Sequence, residues 1–335
     1  MREPASPTTD RVIPDAPMAE VAVSPRPDRQ RWLLALAFAA VYVIWGSTYL
    51  AIRIAVATLP PFLMAAVRYL VAGGIVYGAL RLKGVAAPTR AQWTHAALAG
   101  LLMLTIGNGF VTLAEKTIPS NMTALLIAAV PLYVALLDWA RPRGMRPARH
   151  VIAGIAVGLA GMVLLVLPDG RAASSARPAG VLAILLAGLG WALGSLYARY
   201  RTRHPSTLMV SAQHMLAGGV GLSLLALAHG DVGRMHASDV TFVSVVAFSY
   251  LTVFGSIVAF CAFGWLVVAS TPAKLSTTAF VNPVIAVVLG WLLLGETLGP
   301  RAIAGAGLIV AAVVLITLGG RLAPRAAERM AGRRA

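Results

Sequence analysis

A lone arginine, two prolines and a few amides interrupt a chain that is otherwise strongly apolar. Arg68 lies in the middle of the apolar run Phe62–Leu80. A charge at the centre of a membrane helix costs about 2.5–3.5 kcal/mol on insertion scales, so it must face protein or water and find a partner. It is a candidate anchor for an anionic substrate group or a member of a gating pair; a structural arginine bonded to helix-end carbonyls is the plainer reading. Pro131 and Pro283 fall inside apolar runs. Proline removes a helical hydrogen bond, and a carbonyl freed within a membrane must be satisfied by protein or by a water-filled cavity. Asn282 beside Pro283, and Asn108 between Gly107 and Gly109, add amides at such breaks.

Other candidates surround these. Glu115 ends the third apolar run and suits proton coupling or a cationic substrate, against the plain reading of a solvated interfacial acid. Gln213 and His214 sit together in another run, and the imidazole titrates near neutral pH unless it is buried and bonded. Tyr42, Trp45 and Trp191 are positioned to line a cavity for amphipathic molecules, although aromatics also collect at membrane interfaces. Asp138 and Glu296, at run ends, read as caps or loop-pairing groups. The single Cys261 lies in an apolar stretch and reads as core or lipid-facing. No G-x-x-x-x-G-K-[ST] loop, no H-E-x-x-H and no paired Cys/His spacing occurs, so neither a nucleotide-hydrolysing site, a metal nor any other cofactor is expected.

The elements that must position these groups follow from composition. Of 335 residues 59% are apolar and only 12% charged, against about 25% charged in soluble domains. That excludes a soluble enzyme, a disordered chain or a coiled coil and leaves a polytopic, all-α membrane protein. Residues 1–31 hold six prolines and few apolar groups and read as a disordered tail. Transmembrane helices, which need about 20 apolar residues, are expected over Trp32–Ile52, Phe62–Leu80, Trp93–Leu113, Met122–Trp139, Val151–Leu167, Val181–Ala198, Leu208–Ala228, Phe242–Leu266, Lys274–Leu294 and Ile303–Leu318. Turn chemistry separates them at Pro60-Pro61, Arg141-Pro142-Arg143-Gly144, Pro168-Asp169-Gly170, His204-Pro205 and Gly299-Pro300.

The net charge of +16 would suggest nucleic-acid binding on a soluble protein. Here it is dispersed over loops. With the N-terminus in the cytoplasm, 21 of the 28 Lys and Arg fall on the cytoplasmic side and 6 outside, leaving only Arg68 within a span. That asymmetry is the positive-inside signature. It excludes nucleic acid as a partner and places both termini in the cytoplasm.

The chain also repeats itself. Gly46-Ser47-Thr48-Tyr49 returns as Gly194-Ser195-Leu196-Tyr197, Met64 through Arg68 as Met209 through Gln213, and Pro131 with Trp139 as Pro283 with Trp291, in one order at offsets of 145–152. Five helices per repeat force the second copy into the opposite orientation. That inverted architecture places a substrate site at the repeat interface of many secondary transporters.

These residues resemble the EamA family of the drug/metabolite transporter superfamily, most closely its YedA-like exporter branch. The likeness rests on Trp45-Gly46-Ser47-Thr48-Tyr49, Ala66-Val67-Arg68-Tyr69-Leu70, Pro131-Leu132-Tyr133, Asn282-Pro283-Val284-Ile285-Ala286, Leu294-Gly295-Glu296-Thr297-Leu298 and the run Leu113–Ser120. It implies one five-helix repeat over 32–168, a second over 178–318, and a basic cytoplasmic tail over 319–335. It also implies export of small metabolites, amino-acid-like or amphipathic drugs, across a bacterial inner membrane. The chain departs from the family where the fourth helix usually ends in Gly-Glu and here reads Arg141-Pro142-Arg143-Gly144. Import or exchange, for example of nucleotide sugars, an intramembrane enzyme and a channel are the alternatives, and the coupling ion, a proton among the candidates, and the oligomeric state stay open. A cysteine placed at Ser174 should be labelled by an impermeant maleimide from the periplasm; labelling only from the cytoplasm would reverse the expected orientation.

Overall fold

The computed structural model describes residues 27–140, 148–166, 178–202, 204–270, 272–275 and 277–331, and among these every regular element is helical. The helices are α1 Pro27–Ala55, α2 Pro61–Leu82, α3 Arg90–Ala114, α4 Ser120–Ala140, α5 Arg149–Val166, α6 Pro178–Arg201, α7 Thr207–His229, α8 Phe242–Ala269, α9 Thr278–Leu294 and α10 Pro300–Ala331. Seven of them (α1–α4 and α6–α8) are long and apolar enough to cross a membrane, and α5, α9 and α10 contribute shorter apolar stretches. Each overlaps one of the expected spans. The proline-rich tail, the Arg141–Gly144 and Pro168–Gly170 breaks and Ser174 lie outside the described residues.

Local chemistry sets the starts. Pro61 occupies the first turn of α2, where its missing N–H costs nothing. Thr89 and Gln92 form a reciprocal capping box at α3. Ser206 and Thr241 accept from the main-chain N–H groups of Met209 and Ser244 at α7 and α8. Two boundaries differ from the expected ones. The ninth span begins as a separate turn, Pro272–Leu275, and restarts at Thr278. There the Thr277 and Thr278 hydroxyls donate to the carbonyls of Lys274 and Leu275, taking up acceptors that a continuous helix would have used. The α10 backbone runs on to Ala331 rather than stopping near Leu318; Ala and Arg, strong helix formers, are common in this segment, although it also contains Gly319, Gly320 and Pro324.

The two repeats pack crosswise. α2 lies along α7 and α5 along α10, so equivalent helices pair; α1 packs on α8 and α9, as α6 packs on α3 and α4. Small residues permit the close approaches. Gly190 and Gly194 of α6 face Ile106 and Met103 of α3, Gly73 faces Met215 of α7, and Gly154 faces Ala312 and Ile316 of α10. Gly74, by contrast, has no neighbour close enough for a Cβ to touch.

Two acids stitch the repeats together at the end of the bundle where α1 finishes, called here the far end. After α7, Gly230 turns left-handed (φ 74°) and sends Asp231 to the start of α2, where one carboxylate oxygen accepts from the N–H groups of Phe62 (2.8 Å) and Leu63 (3.1 Å). After α9, Gly295 (φ 63°) does the same for Glu296, which accepts from Ser120 N (2.8 Å), Ser120 Oγ (2.8 Å) and Asn121 N (3.0 Å) at the start of α4. Each acid thus satisfies the orphan donors of a helix in the other repeat and meets the positive end of its dipole. The reading of Glu296 as a cap holds. Losing a cap costs about 0.5–2 kcal/mol, so Asp231→Ala and Glu296→Ala should each lower the thermal unfolding midpoint in detergent, while the exposed Asp239→Ala should not; equal midpoints for all three would deny the caps their role.

Candidate functional site

Between the repeats lies a cavity of about 730 Å³, walled by α1, α2, α3, α4, α6, α8 and α9. Its lining extends to Asp138, Leu275, Ile316 and the exposed Arg199, at the end of the bundle opposite the far end. Toward the far end the space stops against packed side chains, among them the buried Ile52, Ala55, Met64, Val111 and Leu251. The cavity therefore opens at one end and is sealed at the other.

Arg68 sits in its wall, 3% exposed. Its Nε donates to Ser256 Oγ at 2.7 Å, its guanidinium lies 4.8 Å from the Tyr69 ring centroid, and Nη1 has no hydrogen-bond partner. No carboxylate pairs with it among the described residues. The guanidinium fits because residue 255 is glycine: a Cβ there would lie 2.9 Å from Arg68 Nη2. Gly255 and Ser256 belong to Leu251–Ala259, a stretch of α8 wound as a π-helix, and the equivalent helix of the first repeat is π-wound over Leu101–Asn108. π-helical turns are uncommon and concentrate at functional sites. Here they bring Gly107-Asn108 and Gly255-Ser256 to the cavity region from the two repeats.

An aromatic wall stands beside the arginine. Trp45 meets Trp191 edge-on at 6.0 Å and Phe263 at 4.8 Å between ring centroids, and its indole N–H donates to the Gly255 carbonyl at 3.3 Å. Such rings offer a rigid apolar surface with a polar edge.

The prolines act elsewhere in the lining. Pro131 supplies no donor for the carbonyl of Ile127, nor Pro283 for that of Ala279, and both Ile127 and Ala279 line the cavity. α4 is interrupted at Ala128-Ala129, two residues before Pro131. α9 differs from the expected matching interruption, because its helix runs unbroken through Pro283 and its break comes earlier, before Thr278. The Thr277 and Thr278 hydroxyls fix the break at that earlier place. Asn282 also lines the space, buried and with Oδ1 unpartnered.

Of the residues singled out from sequence for substrate binding or gating, Trp45, Arg68, Asn108, Pro131, Trp191, Asn282 and Pro283 line this cavity, and four others do not. Tyr42 bonds Thr277 Oγ1 at 2.5 Å, tying α1 to the start of α9. Gln213, the repeat counterpart of Arg68, is fully buried in α7 with both amide atoms unpartnered. His214 packs its main chain against Gly100 and its ring toward Phe260. Glu115 belongs to the far-end seal. Gly255, Ser256, Phe260 and Phe263 were not anticipated. The repeat offset carried the signal for the first two, since Gly107-Asn108 and Gly255-Ser256 are spaced as Gly46 and Gly194 are.

The chain's resemblance to known proteins agrees with this architecture. A family model for the EamA-like transporter family matches residues 31–167 and again 178–318. The inner membrane transporter YedA of Escherichia coli strain K12 is 42% identical over 299 residues, covering 88% of this chain and 95% of its own length. A WAT1-related chloroplastic protein of Arabidopsis thaliana is 27% identical, covering 82% of this chain and 67% of its own. One solved protein structure, 22% identical, superposes with a TM-score of 0.61 over 87% of this chain and 99% of that one, a likeness of fold.

Arg68 and Gly255 generate a direct expectation. With benzoate as an aromatic anionic probe, Gly255→Ala should weaken binding about tenfold or more, since displacing the guanidinium removes a charge-assisted hydrogen bond. Equal titration calorimetry for the variant and the parent would show that the anion does not reach Arg68.

Proposed function

The chain belongs to the EamA-like transporter family, and from that premise we propose that it is a secondary transporter of a bacterial inner membrane that exports small amino-acid-like or amphipathic molecules by alternating access. That it is a membrane transporter follows from the family; the direction, the substrate class and the mechanism are our reading. In it, both termini are cytoplasmic, the cavity is in its inward-open form, and the far end faces the periplasm. The chain moves its substrate unchanged and catalyses no covalent reaction.

The observation that carries the reading is the unpartnered Nη1 of Arg68 in the cavity wall. A buried guanidinium without a counter-charge is costly, and an anionic group brought by a substrate relieves it. Other acceptors of the lining residues, the carbonyls of Ile127 and Ala279 and Oδ1 of Asn282, suit an ammonium or amide on the same molecule. The Trp45, Trp191 and Phe263 faces suit an apolar side chain. Together these match a compact zwitterion or anion with an apolar body.

Alternating access needs two states of one site, and the crosswise packing of related repeats supports it. Rocking one repeat against the other exchanges which end is closed while the cavity stays between them. The test is flux of amino acids, amines and dyes in proteoliposomes. Substrates with an anionic group should be carried, and Arg68→Ala should lower their flux about tenfold or more, with Arg68→Lys recovering part of it because lysine restores charge without the planar fork. Absence of flux for every class, or an unimpaired Arg68→Ala, would contradict the reading.

A further inference from the structure

Glu115 follows the span Arg90–Ala114 and is completely buried at the far end. Neither of its carboxyl oxygens accepts a hydrogen bond. Three side chains act on it electrostatically: Arg53 and Tyr49 from α1, and Glu296 from beyond α9. The Arg53 guanidinium spends Nη1 on the main-chain carbonyl of Glu115 rather than on the carboxylate. Both oxygens of Glu296 are engaged in capping α4. Among the described residues, the starts of α2, α4 and α6 bring no titratable side chain to this region, and Lys116 and Arg301, at the start of α10, are exposed. Of the other far-end acids among the described residues, Asp231 is taken up by Phe62, Leu63 and His229, and Asp239 is exposed.

A second negative charge beside Glu296, in a dry seal and with no donor, is a poor arrangement. We propose that Glu115 is a proton-binding site of this seal, holding a proton while the far end is closed and releasing it when opening lets water in. The proposal rests on the alternating-access reading and deepens it by naming a proton-linked gate, whose proton is taken from and returned to the far side. The electrostatics agree. Burial, and then Glu296, push the Glu115 carboxyl well above its ordinary range, and Arg53 only partly opposes them. With the closed-state value raised above that of a wetted carboxylate, closure has its full advantage below the ordinary carboxylate value. It loses that advantage as pH rises through the closed-state value. If the far end faces the periplasm, outside acidity favours closure, and the proton returns to the periplasm on opening, so it gates the cycle without net proton movement.

The experiment uses the intact chain in nanodiscs of phosphatidylethanolamine and phosphatidylglycerol, where both faces meet one pH. In a Cys261→Ala background, a cysteine at the buried Ala55 reports far-end opening through its rate of maleimide labelling. Rates are taken relative to a cysteine at exposed Lys116, which removes the intrinsic pH dependence of thiols. The relative rate should rise with pH, by up to about tenfold per unit for one linked proton. Glu115→Gln, a neutral isostere, should stay slow and flat, and Glu115→Asp should keep a slope. The infrared carbonyl band of a protonated carboxylic acid should be present in the parent and lost in Glu115→Gln. An unchanged slope in Glu115→Gln, or rapid labelling at every pH, would overturn the proposal while leaving alternating access standing. No labelling of position 55 at any pH, with position 116 labelled normally, would overturn both.

Discussion

A guanidinium inside an apolar helix bundle is the constraint around which this structure is arranged. Arg68 cannot reach bulk water from the middle of α2, so the second repeat comes to it. α8 winds wide over Leu251–Ala259, a glycine clears the space, and Ser256 takes Nε. One Nη nitrogen remains unspent and lies in a cavity wall. The hydrogen bond from Arg68 to Ser256 joins the two repeats at the depth where a substrate would bind, so any motion of one repeat against the other must work around it.

The remaining polar groups follow the same logic. In hydrocarbon every backbone donor and acceptor needs a partner inside the fold. Within the apolar spans described, Pro131 and Pro283 free the carbonyls of Ile127 and Ala279, beside the cavity. Asp231 and Glu296 cap helices across the repeat boundary, closing the far end with charge-assisted bonds rather than with bulk alone. The two ends of the molecule are therefore built differently: one closed by helix caps and an apolar plug, the other opening between Asp138 and Arg199.

Much of this was legible in the sequence, because hydrophobic length and repeat spacing are strong signals in a membrane protein. The spans, the two repeats and the polar positions Arg68, Asn108 and Asn282 could be read from run length, offset and the cost of burying charge. Which polar residues share a cavity could not, since that depends on helix rotation. Gln213 occupies the position equivalent to Arg68 but is turned into the packed face of α7, and Glu115 lies past the end of its helix within the seal. The π-helical turns were hidden for a related reason. They shift register by a fraction of a turn without altering composition, and only the Gly-Asn and Gly-Ser pairs at one offset mark them.

The central claim is that one cavity opens in turn to either end as the repeats rock. It is tested most directly by pulsed electron paramagnetic resonance distances in nanodiscs, with spin-label pairs at Lys116 and Asp239 across the far end and at Lys83 and Arg201 across the other, in a Cys261→Ala background. All four positions are exposed. The account predicts two populations in each pair, with conditions that lengthen the far-end distance shortening the other. A single fixed distance at both ends, or both ends widening together, would contradict it.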